Sequence, residues 1–312
     1  MTLIVAGYDN EEIFFISDSA ITDQEGKRLL SGFKKVYSVP IILHKPYFVR
    51  TFKRYFPFES YSGECVFALA GSTLVAQHVI NTINEHLRKI RIIHEYHNGN
   101  IKYSLIRHCD ITNNPMYRSG YREYDDDLYK DYLIEKDIDI SDILKIIEYS
   151  VNEAFKSAIY HATEKTWNTL LNNEYLLALY CHKTKQNYLY KLSLVEYTND
   201  ENLLKIRCHI VLIPKSDIAI IGTTKFNDQI TNSYASFKQN VHESNVPQKM
   251  LILLSDIIAT ANTGGDFGIS RPIIYKTFNE RLNKNITVTR DNKWYLLDED
   301  EIAIQEISNN II

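Results

Sequence analysis

Thr2-Leu3-Ile4-Val5-Ala6-Gly7, then Ile13-Phe14-Phe15-Ile16-Ser17-Asp18-Ser19-Ala20, then Lys34-Lys35-Val36-Tyr37: three strand-forming runs open the chain, and each carries a polar group at one end. Asp23-Gln24-Glu25-Gly26 marks a turn between the second and third. Thr2 stands directly behind the initiator Met1. Removal of Met1 gives one residue both a hydroxyl nucleophile and a free α-amine, a known way of activating threonine. Such an amine has a reference pKa of roughly 7.7–8.0, which suits a general base near neutral pH. A nearby lysine would favour the alkoxide, and an aspartate could hold that lysine in place. A glycine at a strand-to-helix junction could aim its N–H at the acyl oxygen. Taken singly, these features are ordinary. A threonine at position 2 is commonly just a terminus, an aspartate after a strand a turn residue, and a Lys-Lys pair a solvated face.

Strand character is lost over residues 40–62, where Pro40, Pro46 and Pro57 bound an aromatic and basic stretch with Arg50, Phe52, Lys53, Arg54, Tyr55 and Phe56. It returns at Cys65-Val66-Phe67-Ala68-Leu69-Ala70, followed by Gly71-Ser72-Thr73. A helix is expected from Thr73, because Val75, Val79, Ile83, Leu87 and Ile90 recur at helical spacing. Residues 96–140 read as a polar, partly structured insertion with an acidic cluster at Asp125, Asp126 and Asp127. A second helix should follow, N-capped by Ser141, with Ile143, Ile147, Val151, Ala154, Phe155 and Ala158 as its apolar stripe. Strands are expected at 175–181, 188–194, 204–214 and 218–222, helices at 226–237 and from Pro247 to about Ala261, and closing strands beyond 266. Strand groups alternating with helix pairs argue against βαβ winding. They favour two mostly antiparallel sheets packed together, with helices on both outer faces.

Together, Thr2, Ile16-Ser17-Asp18-Ser19-Ala20, Lys34-Lys35-Val36-Tyr37 and Phe67-Ala68-Leu69-Ala70-Gly71-Ser72-Thr73 resemble the proteasome β-subunit pattern of N-terminal-nucleophile hydrolases. The bacterial chaperone-gated, proteasome-like peptidase is the nearest in flavour. Thr2 to Asp18 is sixteen residues, and Asp18 to Lys34 is another sixteen. The resemblance implies an α+β, four-layer αββα sandwich over residues 1–312 as a single domain. The segments at about 40–62 and 96–140 would be insertions, with a C-terminal extension after the core. It implies catalytic roles for Thr2, Asp18, Lys35 and the oxyanion-hole Gly71. Lys35 is favoured because the family's lysine directly precedes the hydrophobic strand, with Lys34 kept as runner-up and supporting residue; neighbours on a strand point to opposite faces, so a structure can decide between them. Ser19, Thr223 and Thr263 are implied as supporting residues. Ala20, Thr22, Ala70 and Ser72 are implied as substrate-binding. The family's companion aspartate is missing, with Thr260 at its position and Asp256 one helical turn earlier.

The implied activity is cleavage of an amide bond in a polypeptide or peptide-like substrate, through an acyl-enzyme and without metal or cofactor. Homo-oligomerisation and delivery by an ATPase or adaptor belong to the same expectation, as does an N-terminus carrying no longer propeptide. A peptide ligase of the same fold and an inactive proteasome-like scaffold are the alternatives. The aromatic, basic stretch at 40–62 would lie near the cleft as a substrate or partner clamp, or else form a loop packed on its own aromatics. Composition points the same way by exclusion. The 312-residue chain is 45% hydrophobic and 24% charged with net charge -4, which gives no reason to expect nucleic-acid binding. No apolar run reaches membrane-span length and no signal-peptide pattern opens the chain, so a cytoplasmic protein with no membrane partner is expected. Cys65, Cys109, Cys181 and Cys208 show no CxxC spacing and read as free thiols. The ten histidines show no HxxxH spacing, and no P-loop or dinucleotide fingerprint is present.

Overall fold

The computed structural model describes residues 2–23, 27–49, 51–97, 100–117, 129–160, 163–198, 204–239, 245–279, 285–288, 294–296 and 305–306. Met1, the turn at 24–26, Arg50 and the acidic cluster at 125–127 lie outside them. The opening runs form β1 (Leu3–Asp9) and β2 (Glu12–Ser17), followed by the short β3 (Ile21–Thr22) and β4 (Arg28–Leu30). Two long strands follow, β5 (Val36–Val49) and β6 (Thr51–Ala70), then α1 (Thr73–Leu87), β7 (Ile90–His97) and β8 (Asn100–Ile106). The middle of the chain gives α2 (Asp131–Asp137), α3 (Ile140–Tyr160), α4 (Glu164–Leu171), β9 (Glu174–Cys181), β10 (Gln186–Thr198), β11 (Leu204–Ile213) and β12 (Ala219–Gly222). The last part gives α5 (Asn227–Gln239), α6 (Val246–Thr263), β13 (Ile273–Phe278), β14 (Asn285–Val288), β15 (Trp294–Leu296) and β16 (Gln305–Glu306).

The fold is α+β. One sheet runs β12-β1-β2-β13-β14-β15-β16 and the other β11-β10-β9-β6-β5-β7-β8. Among the described residues β5 and β7 pair in parallel and the other strand pairs are antiparallel. Period-2 alternation sorts each central strand between two cores. Leu3 and Val5 of β1 join Phe14 and Ile16 of β2 against α5 and α6. Their neighbours Ile4, Ala6, Ile13 and Phe15 face the other sheet, meeting Val66, Ala68 and Ala70 of β6 and Leu176 and Ala178 of β9. Cys65, Phe67 and Leu69 of β6, with Leu177 and Leu179 of β9, turn the opposite way to pack on α1 and α3. Burial on both faces explains why these strands read as continuous apolar runs rather than as alternating ones.

One expectation about the insertions needs correction. Residues 40–62 are not irregular: β5 and β6 form one hairpin whose register runs from Val36↔Ala68 out to Val49↔Thr51. The prolines are tolerated because this part of the hairpin is largely edge. Beyond the core β5 meets β7 only at Leu43 and His44, and β6 meets β9 only over Cys65–Ala70, so Pro46 and Pro57 interrupt no second ladder. The described residues of 96–140 fit a partly structured segment, with β7 and β8 paired from Arg91↔Ile106 to His97↔Asn100, followed later by α2. Asp139 rather than Ser141 caps α3, since its Oδ1 accepts the Ser141 N–H at 2.9 Å. The amphipathic α4, capped by a reciprocal Thr163–Thr166 box, was not anticipated.

Candidate active site

The site begins where β2 ends. Asp18 is fully buried, and an ionised carboxylate there is tolerable only if its lone pairs are satisfied. Its Oδ1 accepts the Leu3 N–H at 2.8 Å and the Lys35 ammonium at 2.7 Å, and its Oδ2 accepts the Ala20 N–H at 2.9 Å. Its own N–H donates to the Leu3 carbonyl at 3.0 Å, so the carboxylate is locked to the start of β1. Lys35 precedes β5 and is pinned to β6 by the Leu69 N–H, which donates to the Lys35 carbonyl at 3.1 Å. Its side chain is 3% exposed and also donates to Thr2 Oγ1 at 3.2 Å. Burial pushes the Lys35 ammonium below the ordinary lysine range, and Asp18 pulls it part of the way back. Lys34, one residue away, is exposed and lies over the Tyr37 ring at 5.7 Å.

The Thr2 carbonyl is held from the other side. It accepts the Thr223 N–H at 2.7 Å, and Leu3 pairs with Gly222 at the end of β12. Gly222 has φ +94°, and a Cβ there would sit 2.0 Å from the Thr2 carbonyl oxygen, so only glycine allows this approach. The Gly222 N–H donates to Glu174 Oε2 at 2.9 Å, and Glu174 Oε1 pairs with Lys191 at 2.7 Å. Gly71 follows β6 with φ +119°, and a Cβ on it would meet Asn173 Oδ1 at 2.6 Å. Asn173 is fully buried; its Oδ1 accepts the Ser72 N–H at 3.0 Å while its amide donates to the Thr169 and Leu170 carbonyls.

These groups open onto a cleft of about 930 Å³ lined by Thr2, Ala20, Thr22, Lys35, Gly71, Ser72 and Thr223, with Phe33, Leu69 and Leu74 as apolar wall. Thr2, Asp18 and Lys35 are thus in hydrogen-bonded sequence, and Gly71 shares the cleft with Thr2 and Lys35. Ala70 is not on the cleft wall: strand alternation turns it into the inter-sheet core, and Leu69 lines the cleft instead. Ser19 is buried and accepts the Gly32 N–H at 3.1 Å, bracing the loop that leads to Lys35. Thr263 stands apart, exposed in the last turn of α6, where its hydroxyl back-bonds to the Ala259 carbonyl at 2.5 Å. Asp256 and Thr260 are likewise exposed on α6. No described residue of the 40–62 segment lines the cleft, so the expected clamp position is not observed; Arg54 instead lies over Phe56 at 4.1 Å.

The reading of the sequence missed Asn173, Glu174 and Lys191. The only signal was Asn172-Asn173-Glu174, a polar triplet at the mouth of an apolar strand. Among the described residues no group of three or more His, Cys, Asp or Glu side chains is placed to hold a metal ion. Nor is any helix of the described residues long and apolar enough to cross a membrane.

No protein-family model matches the chain, and no curated protein matches it. Similarity appears at the level of solved structures. An Anbu Gly-1 mutant from Hyphomicrobium sp. strain MC1 superimposes with TM-score 0.51 at 14% identity, covering 94% of this chain and 89% of its own. Anbu (ancestral beta-subunit) from Yersinia bercovieri gives TM-score 0.48 at 12% identity, covering 93% and 89%. The first likeness shows a shared fold. It also corrects the resemblance drawn from sequence. The solved structures named are Anbu proteins, and neither is described as a proteasome β-subunit or as a chaperone-gated peptidase.

Proposed function

We propose that the protein is an N-terminal threonine amidohydrolase acting on a polypeptide or peptide-like substrate. One observation carries the reading: the Lys35 ammonium bridges Asp18 at 2.7 Å and Thr2 Oγ1 at 3.2 Å on the wall of an open cleft. A buried lysine held against a threonine hydroxyl is a costly arrangement that core packing alone does not require. In this reading removal of Met1 frees the Thr2 amine. The amine takes the hydroxyl proton as Oγ1 attacks the amide carbonyl carbon, and Lys35 stabilises the developing alkoxide. Asp18 fixes the lysine and is itself held by the Leu3 and Ala20 amides. In this reading the oxyanion is held by the Gly71 N–H, since the Ser72 amide is engaged by Asn173. The proton passes from the Thr2 amine to the leaving amine, an ester acyl-enzyme remains, and water releases the acid.

The three cores support the finer fold proposal, a four-layer αββα stack within a single domain: helices over one sheet, the inter-sheet layer, and helices over the other. A homo-oligomer and delivery of substrate by an ATPase or adaptor remain part of the proposal. The test is reaction with a peptide epoxyketone or β-lactone, followed by peptide mapping. The expected result is an adduct on Thr2 that is absent from Thr2→Ala and lost in Lys35→Met. Equal labelling of Thr2→Ala would overturn the mechanism. Transfer of the acyl group to an added amine, in place of water, would mark a ligase. Retained Met1 with no labelling would mark a scaffold.

A further inference from the structure

α1 runs from the cleft at Ser72 to a second polar cluster about 20 Å away along its axis. Here His86, on the last turn of α1 and 9% exposed, packs against α3 and the turn after β8. Its Nδ1 lies 2.8 Å from Ser150 Oγ, and its Nε2 lies 3.8 Å from Cys109 Sγ. The tautomer follows from Ser150. That hydroxyl gives its one hydrogen to the Ile146 carbonyl at 2.6 Å, so towards His86 it can only accept. His86 therefore carries its proton on Nδ1 and turns a bare Nε2 towards the thiol. A nucleophile within reach of a base whose other face is fixed by a third group is the general signature of an activated nucleophile. Cys109 is exposed, whereas Cys65, Cys181 and Cys208 are buried, and the Cys65 and Cys208 thiols are pushed up by burial.

We propose that Cys109, His86 and Ser150 form a reactive-thiol site that takes up small organic disulfides as a mixed disulfide. The Cys109 S–H passes its proton to His86 Nε2, and the thiolate attacks one sulfur of the disulfide. The S–S bond breaks as the Cys109–S bond forms. The leaving thiolate takes the proton back from the imidazolium, so one disulfide and one thiol enter and one of each emerge. The surroundings keep the base free rather than strong, so the proton moves to His86 as the sulfur attacks and not beforehand as a resting ion pair. Burial holds the His86 imidazole below the ordinary histidine range, and His108 and Arg107 push the same way against Glu85 and Glu153. The base is thus unprotonated at neutral pH. Arg107, lying over Tyr149 of α3 at 3.3 Å, is ion-paired with Asp110 Oδ2 at 3.2 Å, so the charges beside the thiol largely offset each other. The site is independent of Thr2 and of the activity proposed there.

The test uses an aromatic disulfide whose released thiolate absorbs visible light, on the folded full-length chain, with intact mass as a second readout. One adduct per chain is expected, absent from Cys109→Ser. The rate should show a shoulder at neutral pH, sustained by neutral His86 and lost as His86 is protonated. In His86→Gln it should drop about tenfold and follow the profile of an ordinary thiol, rising towards pH about 8.5. An unchanged rate and profile in folded His86→Gln would overturn the proposal. Should that variant fail to fold, the wild-type profile decides alone, and an ordinary thiol profile there is equally fatal.

Discussion

Lys35 and Lys45 make the same kind of ion pair at two ends of one hairpin, and in opposite surroundings. Lys35 meets Asp18 at 2.7 Å with side chains 3% and 0% exposed. Lys45 meets Asp131 at 3.0 Å with side chains 36% and 45% exposed, its ammonium resting over Phe58 at 5.4 Å. The outer pair sits on a satellite of aromatic packing, where Phe52 meets Phe48 and Tyr55 edge to face and Tyr129 tilts against Phe48. There the charges lie at the periphery of apolar burial, which supplies most of the stabilisation. The inner pair has no such excuse. It is desolvated, its carboxylate accepts from Leu3, Ala20 and Lys35, and the Thr2 hydroxyl lies within hydrogen-bond distance of the ammonium. Burial with full satisfaction separates a working charge from a solvated one, and it is the reason the two ends respond differently to substitution.

The largest effect is expected at Asp18. Asp18→Ala leaves the Lys35 ammonium buried and unpaired, so denaturant unfolding should show a loss of about 3–5 kcal/mol, and labelling of Thr2 should vanish. Gly222→Ala should cost about 2 kcal/mol or more, because φ is positive and the new Cβ meets the Thr2 carbonyl. Its loss of labelling should exceed what the residual folded fraction accounts for. At the outer end Asp131→Asn should change stability by no more than about 1 kcal/mol in the same assay and leave Thr2 labelling intact. A large effect there would break the comparison.

Tyr55 sharpens the contrast through pH. Burial pushes its phenol up to about 12, although the Asn114 side chain, 3.0 Å away, pulls the other way. The folded value lies above the unfolded one near 10, so its contribution is present below pH about 10 and lost as pH rises towards about 12. Tyr55→Phe should therefore flatten the alkaline limb of the stability profile. Lys34→Ala is the smallest change, within about 0.5 kcal/mol and with normal labelling.

Much of this contrast is written in local sequence. Thr2, Asp18 and Lys35 are legible because each closes or opens a short apolar strand; strand alternation separates Lys35 from Lys34, and the family pattern says which of the two to prefer. α1, α3, α5 and α6 follow from periodicity. Asn173 and Glu174 are illegible for the opposite reason. They act on Ser72 and Gly222 through contacts 101 and 48 residues away, which no local pattern encodes. The hairpin is illegible because proline reads as a strand breaker unless the edge it faces is known. Thr263 was placed by motif alone, and its helical backbone took the hydroxyl for itself.

The central claim is that Thr2 bears the nucleophile and its own base. The most direct measurement is the intact mass of the protein expressed without an N-terminal tag. The account predicts a chain that has lost Met1 and begins at Thr2. Quantitative retention of Met1 would remove the α-amine base from Thr2 and contradict the mechanism.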